Sequence, residues 1–175
     1  MPFLVEPLSL PPTATDLAGL SALLRDAVES GASVGFMLPV AESELTAFWT
    51  GVLADVGTGK RRLWVAREAG RIVGTVQLEF AGKTNARHRC ELQKLLVLRT
   101  HRQRGLGSSL MQAAEAGARA NARTLIVLDT SASGGALGLY ERCGYTRAGV
   151  IPRYARDPDG PLIDTVLYYK ELAPA

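Results

Sequence analysis

Cysteine and histidine are both scarce in this chain. Its 175 residues contain two of each, and Cys90 and Cys143 stand too far apart to suggest a shared metal site. No histidine cluster accompanies either cysteine. The sequence therefore predicts no metal, and we expect two free thiols in a reducing compartment.

Long apolar runs are lacking as well. No stretch of ~18 uninterrupted apolar residues is present, and the N-terminus does not show the basic-then-apolar pattern of a signal peptide. We therefore expect a cytoplasmic protein with no membrane partner.

The chain also lacks a strong imbalance of charge. The formal net charge is +3, which favours an anionic ligand, but no basic run is interleaved with aromatic residues. We expect no nucleic-acid partner. The length and the 47% hydrophobic fraction predict a single globular domain over residues 1–175.

Hydrophobic periodicity and turn signals predict a mixed α/β (α+β) chain with the order β-αα-βββ-α-β-α-ββ. The first helix is expected to be capped by Thr15 or Asp16. Strands are predicted over 3–10, 63–66, 72–80, 90–98, 125–128, 145–151 and 162–167. Four helices are predicted: one that ends near Gly31, one from about Ala41 to Gly57, one that begins at Gly107 and one over 136–143.

The stretch from Glu91 to Ala120 carries the strongest functional signal. An apolar strand is followed by a turn in which four basic residues crowd around two glycines, and a helix with small apolar residues on one face starts at the second glycine. Glycines let the backbone approach a ligand, and free N–H groups of a first helical turn attract anions. The alternative is a helix whose glycines serve packing alone. The turn residues are Arg99, His101, Arg102, Arg104, Gly105 and Gly107.

Two familiar phosphate motifs do not fit this turn. Leu110 stands where a dinucleotide fingerprint needs its third glycine, and no Lys-Ser or Lys-Thr pair completes a P-loop. The hexapeptide Arg102-Gln103-Arg104-Gly105-Leu106-Gly107 instead resembles the R/Q-x-x-G-x-G/A loop of the GNAT superfamily of N-acetyltransferases. The segment 139–145, LYERCGY, is similar to that family's FY-x-x-x-GF passage.

Several segments resemble one branch in particular, the tabtoxin-resistance-type acetyltransferases. They are GASVGFM, ELQKLLVL, Leu128-Asp129-Thr130 and the DPDG turn. Two features depart from the family pattern: Arg99 stands where many relatives carry proline, and the last helix lacks an evident asparagine.

The resemblance implies a GNAT fold, with a mostly antiparallel sheet of about six or seven strands flanked by about four helices. It also implies acetyl-CoA as cosubstrate. The expected reaction is direct acetyl transfer to a primary amine of a small molecule, such as an amino-acid-like toxin or antibiotic.

Acetyl transfer needs a group that takes the amine proton and a group that stabilises the leaving thiolate. Glu91 and Asp129 lie at strand ends where a cleft could open, and the resemblance implies that such carboxylates accept the proton. Tyr140 matches the family's tyrosine beside the coenzyme sulfur. Each has a plainer alternative: an exposed strand residue for Glu91, a turn cap for Asp129 and a core aromatic for Tyr140.

The resemblance also implies the coenzyme-binding residues. Backbone N–H groups of the strand, over Leu95–Val97, would polarise the thioester carbonyl. Arg99 or His101 is a weaker expectation for the coenzyme's outer phosphate. The residues assigned to coenzyme binding are Leu96, Val97, Leu98, Arg102, Gln103, Arg104, Gly105, Leu106, Gly107, Ser108 and Tyr140.

Other classes of function remain open from the sequence. A non-catalytic acetyl-CoA sensor would need the turn but not the carboxylates, and a relative that modifies a protein or RNA would use another acceptor. Phe48 and Trp49 are expected in the core, although their helix could wall a substrate pocket. The sequence does not fix the oligomeric state, and a homodimer is left open.

Overall fold

The computed structural model describes residues 3–173. The element order confirms the one predicted from the sequence. The strands are Leu4–Pro7 (β1), Arg61–Glu68 (β2), Arg71–Phe80 (β3), Arg89–Val97 (β4), Leu125–Ser131 (β5), Thr146–Arg156 (β6) and Leu162–Glu171 (β7), and the helices are Ala14–Glu29 (α1), Glu42–Gly57 (α2), Leu106–Ala120 (α3) and Leu137–Arg142 (α4).

All seven strands form one sheet in the order β1-β2-β3-β4-β5-β7-β6. Every neighbouring pair is antiparallel except β4 and β5, which run parallel. A parallel pair needs a crossover connection, and α3 supplies it. The first turn of α3 therefore lies at the C-terminal end of β4.

Helices cover both faces of the sheet. On the face that we call the α2 face, α1 and α2 bury residues such as Leu24 and Trp49 against β2 and β3. On the opposite α3 face, Leu110 and Met111 of α3 pack against β3 and β5. Trp49 is 1% exposed, so the prediction that it belongs to the core is confirmed.

The predicted cap of α1, Thr15 or Asp16, was wrong by two or three residues. Thr13 is the cap: its hydroxyl accepts from the N–H of Asp16 at 3.1 Å, and the Asp16 carboxylate accepts from the N–H of Thr13 at 3.1 Å. This reciprocal pair is a capping box, which requires a Thr followed three residues later by an acid.

Within residues 3–173, no helix is long and apolar enough to cross a membrane. In the same part of the chain, no group of three or more His, Cys, Asp or Glu side chains is arranged to hold a metal ion.

Candidate functional site

The sheet opens between β4 and β5. These strands pair only at Arg89↔Leu125, Cys90↔Ile126 and Glu91↔Val127. Beyond those pairs β4 continues against β3, while β5 continues against β7. The two strands thus diverge after Glu91, and we call the resulting gap the splay.

The basic glycine turn closes the C-terminal end of β4. Gln103 and Gly105 both have positive φ, +60° and +84°, and Gly105 is the N-cap of α3. Because no side chain caps this helix, the N–H groups of its first turn are left for a ligand. A Cβ at Gly105 would meet nothing within 4 Å, whereas one at Gly107 would lie 2.9 Å from Leu139 Cδ2. Gly105 thus serves backbone conformation, and Gly107 serves the close approach of α4.

Three of the four basic residues at the turn are engaged with carboxylates. Arg99 Nε donates to Asp26 Oδ1 at 2.7 Å, and its backbone N–H donates to Asp26 Oδ2 at 3.0 Å. A proline could not make the second bond, which accounts for the departure at this position. His101 and Arg104 both contact the Glu68 carboxylate, at 3.0 and 2.5 Å, and Arg104 holds the pKa of Glu68 below its usual value.

Arg102 has no carboxylate partner among the described residues. Its Nε donates to the carbonyl of Val97 at 3.2 Å, and its Nη2 donates to Ser30 Oγ at 3.1 Å. This guanidinium is exposed and lies beside the splay. For the outer phosphate of the coenzyme, Arg102 is therefore a better candidate than Arg99 or His101, because the side chains of both those residues already face a carboxylate.

Successive backbone N–H groups of β4 point to opposite sides of the strand beside the splay. The N–H of Leu98 donates to Val73 O at 3.0 Å, so it points toward β3. Successive residues of an antiparallel strand direct their N–H groups to opposite sides, and Val97 therefore faces the splay. The N–H of Leu98 is therefore not directed at the splay, and by the same alternation the N–H of Leu96 also points toward β3; the assignment of both residues to coenzyme binding stays a prediction.

Glu91 and Asp129 lie on the same face of the sheet, one on each side of the splay. Glu91 is paired with Val127, and Asp129 stands two residues, roughly 7 Å of strand, further along β5. Glu91 is half-buried and Asp129 is exposed. Asp129 lies within β5 and its side chain makes no hydrogen bond in the described part of the chain, so it does not act as a turn cap.

A hydrogen-bonded chain holds Glu91 in place. Gln93 Nε2 donates to Glu91 Oε1 at 2.8 Å, and Arg61 Nη1 donates to Gln93 Oε1 at 2.7 Å. Glu79 accepts from both Gln93 and Arg61. The sequence analysis missed Gln93, because its contacts join three strands far apart in sequence.

Tyr140 lies on the opposite side of β5 and is 6% exposed. Its ring packs near those of Tyr145 and Tyr168, at centroid distances of 6.2 and 5.7 Å. Burial raises the pKa of Tyr140 to about 12, and a hydrogen bond with Thr130 acts in the opposite direction. The phenol therefore stays protonated at neutral pH and is able to donate a hydrogen bond.

A loop bridges the open end of the splay on the α2 face. This bridging loop, residues 30–41, starts beside the turn, where Ser30 accepts from Arg102. Further along, Ser33 Oγ donates to Arg156 O at 2.9 Å and the N–H of Leu38 donates to Pro158 O at 2.9 Å. Because β7 begins beside the C-terminal end of β5, these bonds carry the loop across the mouth of the splay.

Both cysteines are free, and neither is suited to be a nucleophile. Burial raises the pKa of the Cys90 thiol to about 12, and burial also raises that of the half-buried Cys143 thiol. The thiolate is the reactive form, so both side chains are inert near neutral pH.

The sequence matches a known domain. The family model for the acetyltransferase (GNAT) domain matches residues 59–147, slightly more than half of the chain. A protein of Macaca fascicularis named "Probable N-acetyltransferase 14" is 36% identical over 155 residues, which cover 81% of this chain and 73% of that protein.

The fold is shared with solved structures. Ribosomal-protein-alanine N-acetyltransferase from Brucella melitensis has a TM-score of 0.81 at 23% identity, over 97% of this chain and 99% of that one. A GNAT superfamily phosphinothricin acetyltransferase from Sinorhizobium meliloti, in complex with acetyl-CoA, has a TM-score of 0.80 at 18% identity, over 99% and 90%. These similarities confirm the fold class predicted from the sequence.

Proposed function

We propose that this chain, which belongs to the GNAT family of acetyltransferases, transfers an acetyl group from acetyl-CoA to the primary amine of a small molecule. Family membership makes the chain an acetyl-CoA-dependent N-acetyltransferase, and the small acceptor is our proposal. The observation that carries it is the splay, which has an uncapped, basic helix start at one end and two carboxylates on its rim.

Coenzyme binding is assigned to the turn. The uncapped N–H groups of residues 106–108 suit a pyrophosphate, and Arg102 adds positive charge. Arg104 is also proposed as a charge partner, although its contact with Glu68 offsets part of its charge. Val97, whose backbone faces the splay, is the candidate for polarising the thioester carbonyl. Acetyl-CoA supplies the acetyl group as an activated thioester. The other residues proposed to line its path are Leu96, Leu98, Gln103, Gly105, Leu106, Gly107, Ser108 and Tyr140.

Binding and deprotonation of the acceptor amine are assigned to the carboxylates of Glu91 and Asp129. Glu91 and Asp129 attract the protonated acceptor. Its nitrogen loses two protons in becoming an amide, and these carboxylates take them, directly or through one water: one before attack and one as the nitrogen bonds to the carbonyl carbon. As the carbon–sulfur bond breaks, coenzyme A leaves as a thiolate, to which the Tyr140 hydroxyl donates a hydrogen bond. Attack is direct, because Cys90 and Cys143 both remain protonated thiols.

The position of the bridging loop favours a small acceptor. This loop lies at the mouth of the splay on the face that carries Glu91 and Asp129, which favours a small acceptor over a folded protein. Resemblance to tabtoxin-resistance-type enzymes, and the phosphinothricin named for the Sinorhizobium meliloti structure, support an amino-acid-like toxin or antibiotic and a resistance role.

The acceptor class is tested by competition between substrates. We expect purified protein to acetylate members of a panel of small amines, and to acetylate alanine-starting peptides at least about tenfold more slowly, as judged by coenzyme A release. Peptides acetylated as well as the best small amine would contradict the proposal and favour a protein acceptor, as in the Brucella melitensis enzyme's name. Binding of acetyl-CoA without transfer to any amine would favour the sensor.

The remaining expectations stay predictions. One domain over residues 1–175 is supported by the single sheet that the described residues form. A cytoplasmic location rests on the sequence alone, and the oligomeric state, which the sequence does not fix, stays open.

A further inference from the structure

Lys94 occupies an irregular position in β4. Its φ is +48°, a left-handed value that side chains other than glycine seldom adopt. The β3–β4 register shifts between Thr75 and Gln77, so β4 carries one extra residue here. Such bulges redirect side chains and are frequent beside active sites. The bulge directs Lys94 to the α2 face, where its Nζ lies 5.3 Å from the centre of the Phe48 ring.

The ammonium of Lys94 has no anionic partner at contact distance. It makes no hydrogen bond or ion pair with the residues that the structure describes, although the side chain is half-buried. Arg61, on the same face, contacts Asp55, Glu79 and Gln93. The Phe48 ring attracts the ammonium but accepts none of its hydrogen bonds in full, so the N–H donors of Lys94 remain available to an anion.

Lys94 lies within the electrostatic field of both proposed catalytic carboxylates. Burial lowers the pKa of Lys94, as does the charge of Arg61, whereas the charges of Asp129 and Glu91 act in the opposite direction. The acceptor side of the splay thus presents two carboxylates and one cation with no direct partner. A diamine would be repelled by Lys94, and an acid without an amine would be repelled by the carboxylates. An acceptor that carries both an ammonium and an anionic group can pair with all three charged side chains.

We propose that Lys94 is a specificity-determining residue that binds an oxyanion group of the acceptor, such as a carboxylate or a phosphinate, while Glu91 and Asp129 bind its amine. The acceptor is then an amino acid or a related zwitterion. This inference rests on the proposed function, since it concerns the acceptor of that same reaction.

The test compares amino acids with their amides. An amide keeps the amine and the side chain and removes the negative charge. We expect wild-type protein to favour the acid over the matched amide by at least about tenfold in kcat/KM, because charge-assisted hydrogen bonds in partly buried sites have effects of this size. Lys94→Met should lower kcat/KM for the acids by about tenfold, mainly through KM, and leave the amides within about twofold. Lys94→Arg, which keeps the charge, should retain most of the preference.

Two outcomes would overturn the inference and separate it from the function. If wild-type protein acetylates amides as fast as acids, or if Lys94→Met slows both equally with acetyl-CoA affinity unchanged, Lys94 does not recognise an anion, yet the small-amine function stands. If no small amine is acetylated and peptides are, the inference and the proposed function both fail.

Discussion

Replacing Glu91 by Gln or Asp129 by Asn is expected to lower kcat by about a hundredfold or more, with acetyl-CoA affinity unchanged within about twofold. General-base catalysis contributes factors of this size, and both carboxylates lie on the rim of the splay, away from the turn assigned to the coenzyme. Each substitution keeps the shape of the side chain and removes its charge. The measurement is steady-state turnover with saturating amine, beside calorimetric binding of acetyl-CoA.

The pH dependence gives this prediction a second readout. An amine with a pKa of ~10.4 is mostly protonated at neutral pH, so a variant without its base depends on the small fraction of free amine. The turnover of that variant should therefore rise steeply with pH, by up to about tenfold for each pH unit below the amine pKa. Glu171→Gln, at the far end of β7 and exposed, is the matched control and should behave as wild type. Wild-type turnover in both Glu91→Gln and Asp129→Asn would remove these residues from the mechanism.

Replacing Tyr140 by Phe is expected to lower kcat by about a hundredfold, the scale found when a hydrogen-bond donor to developing charge is removed. A cysteine-like thiol has a pKa of ~8.5, far below the value of about 12 to which burial raises Tyr140. Complete proton transfer from the phenol to the thiolate is therefore unfavourable, and Tyr140 acts by donating a hydrogen bond. This refines the sequence-based expectation of a general acid.

The control for Tyr140 is a second buried tyrosine. Tyr168 is 2% exposed and donates to Glu141 Oε1 at 3.0 Å, so Tyr168→Phe removes a comparable hydroxyl from the same core. We expect its kcat to stay within about twofold of wild type. Equal kcat values for Tyr140→Phe and wild type would show that the hydroxyl has no part in the reaction.

The order of the elements could be predicted from the sequence because it depends on local patterns. Apolar periodicity separates strands from helices, and the glycines mark the start of α3 after β4. Glu91 and Asp129 were expected at strand ends; Glu91 lies near the start of β4, whereas Asp129 lies within β5, which continues to Ser131. Thr13 was missed because only a single capping residue, Thr15 or Asp16, was considered, when the three-residue spacing from Thr13 to Asp16 was the stronger signal.

The remaining features depend on contacts between residues far apart in the chain. Arg99 pairs with Asp26 across 73 positions, and this pairing decides which basic side chain faces a ligand. The bulge at Lys94 appears only when β4 is aligned with β3, because a lysine in a strand gives no local signal of positive φ. Sequence patterns thus suggested a candidate site, but long-range pairing determined the partners of its charged groups.

Calorimetric titration with acetyl-CoA tests the central claim most directly, because every proposed step requires the coenzyme at the glycine turn. Ser108→Glu is the informative variant. A carboxylate in the first turn of α3 is favourable for the helix, yet it would repel a pyrophosphate from the same N–H groups. Ser108→Gln is the neutral control of matched size.

We expect wild-type protein and Ser108→Gln to bind acetyl-CoA in the micromolar range, and Ser108→Glu to bind at least about a hundredfold more weakly with no loss of thermal stability. That result would place the coenzyme at the start of α3. Absence of binding by the wild type, or equal binding by Ser108→Glu, would contradict the account and leave Gly105 and Gly107 with a purely structural role.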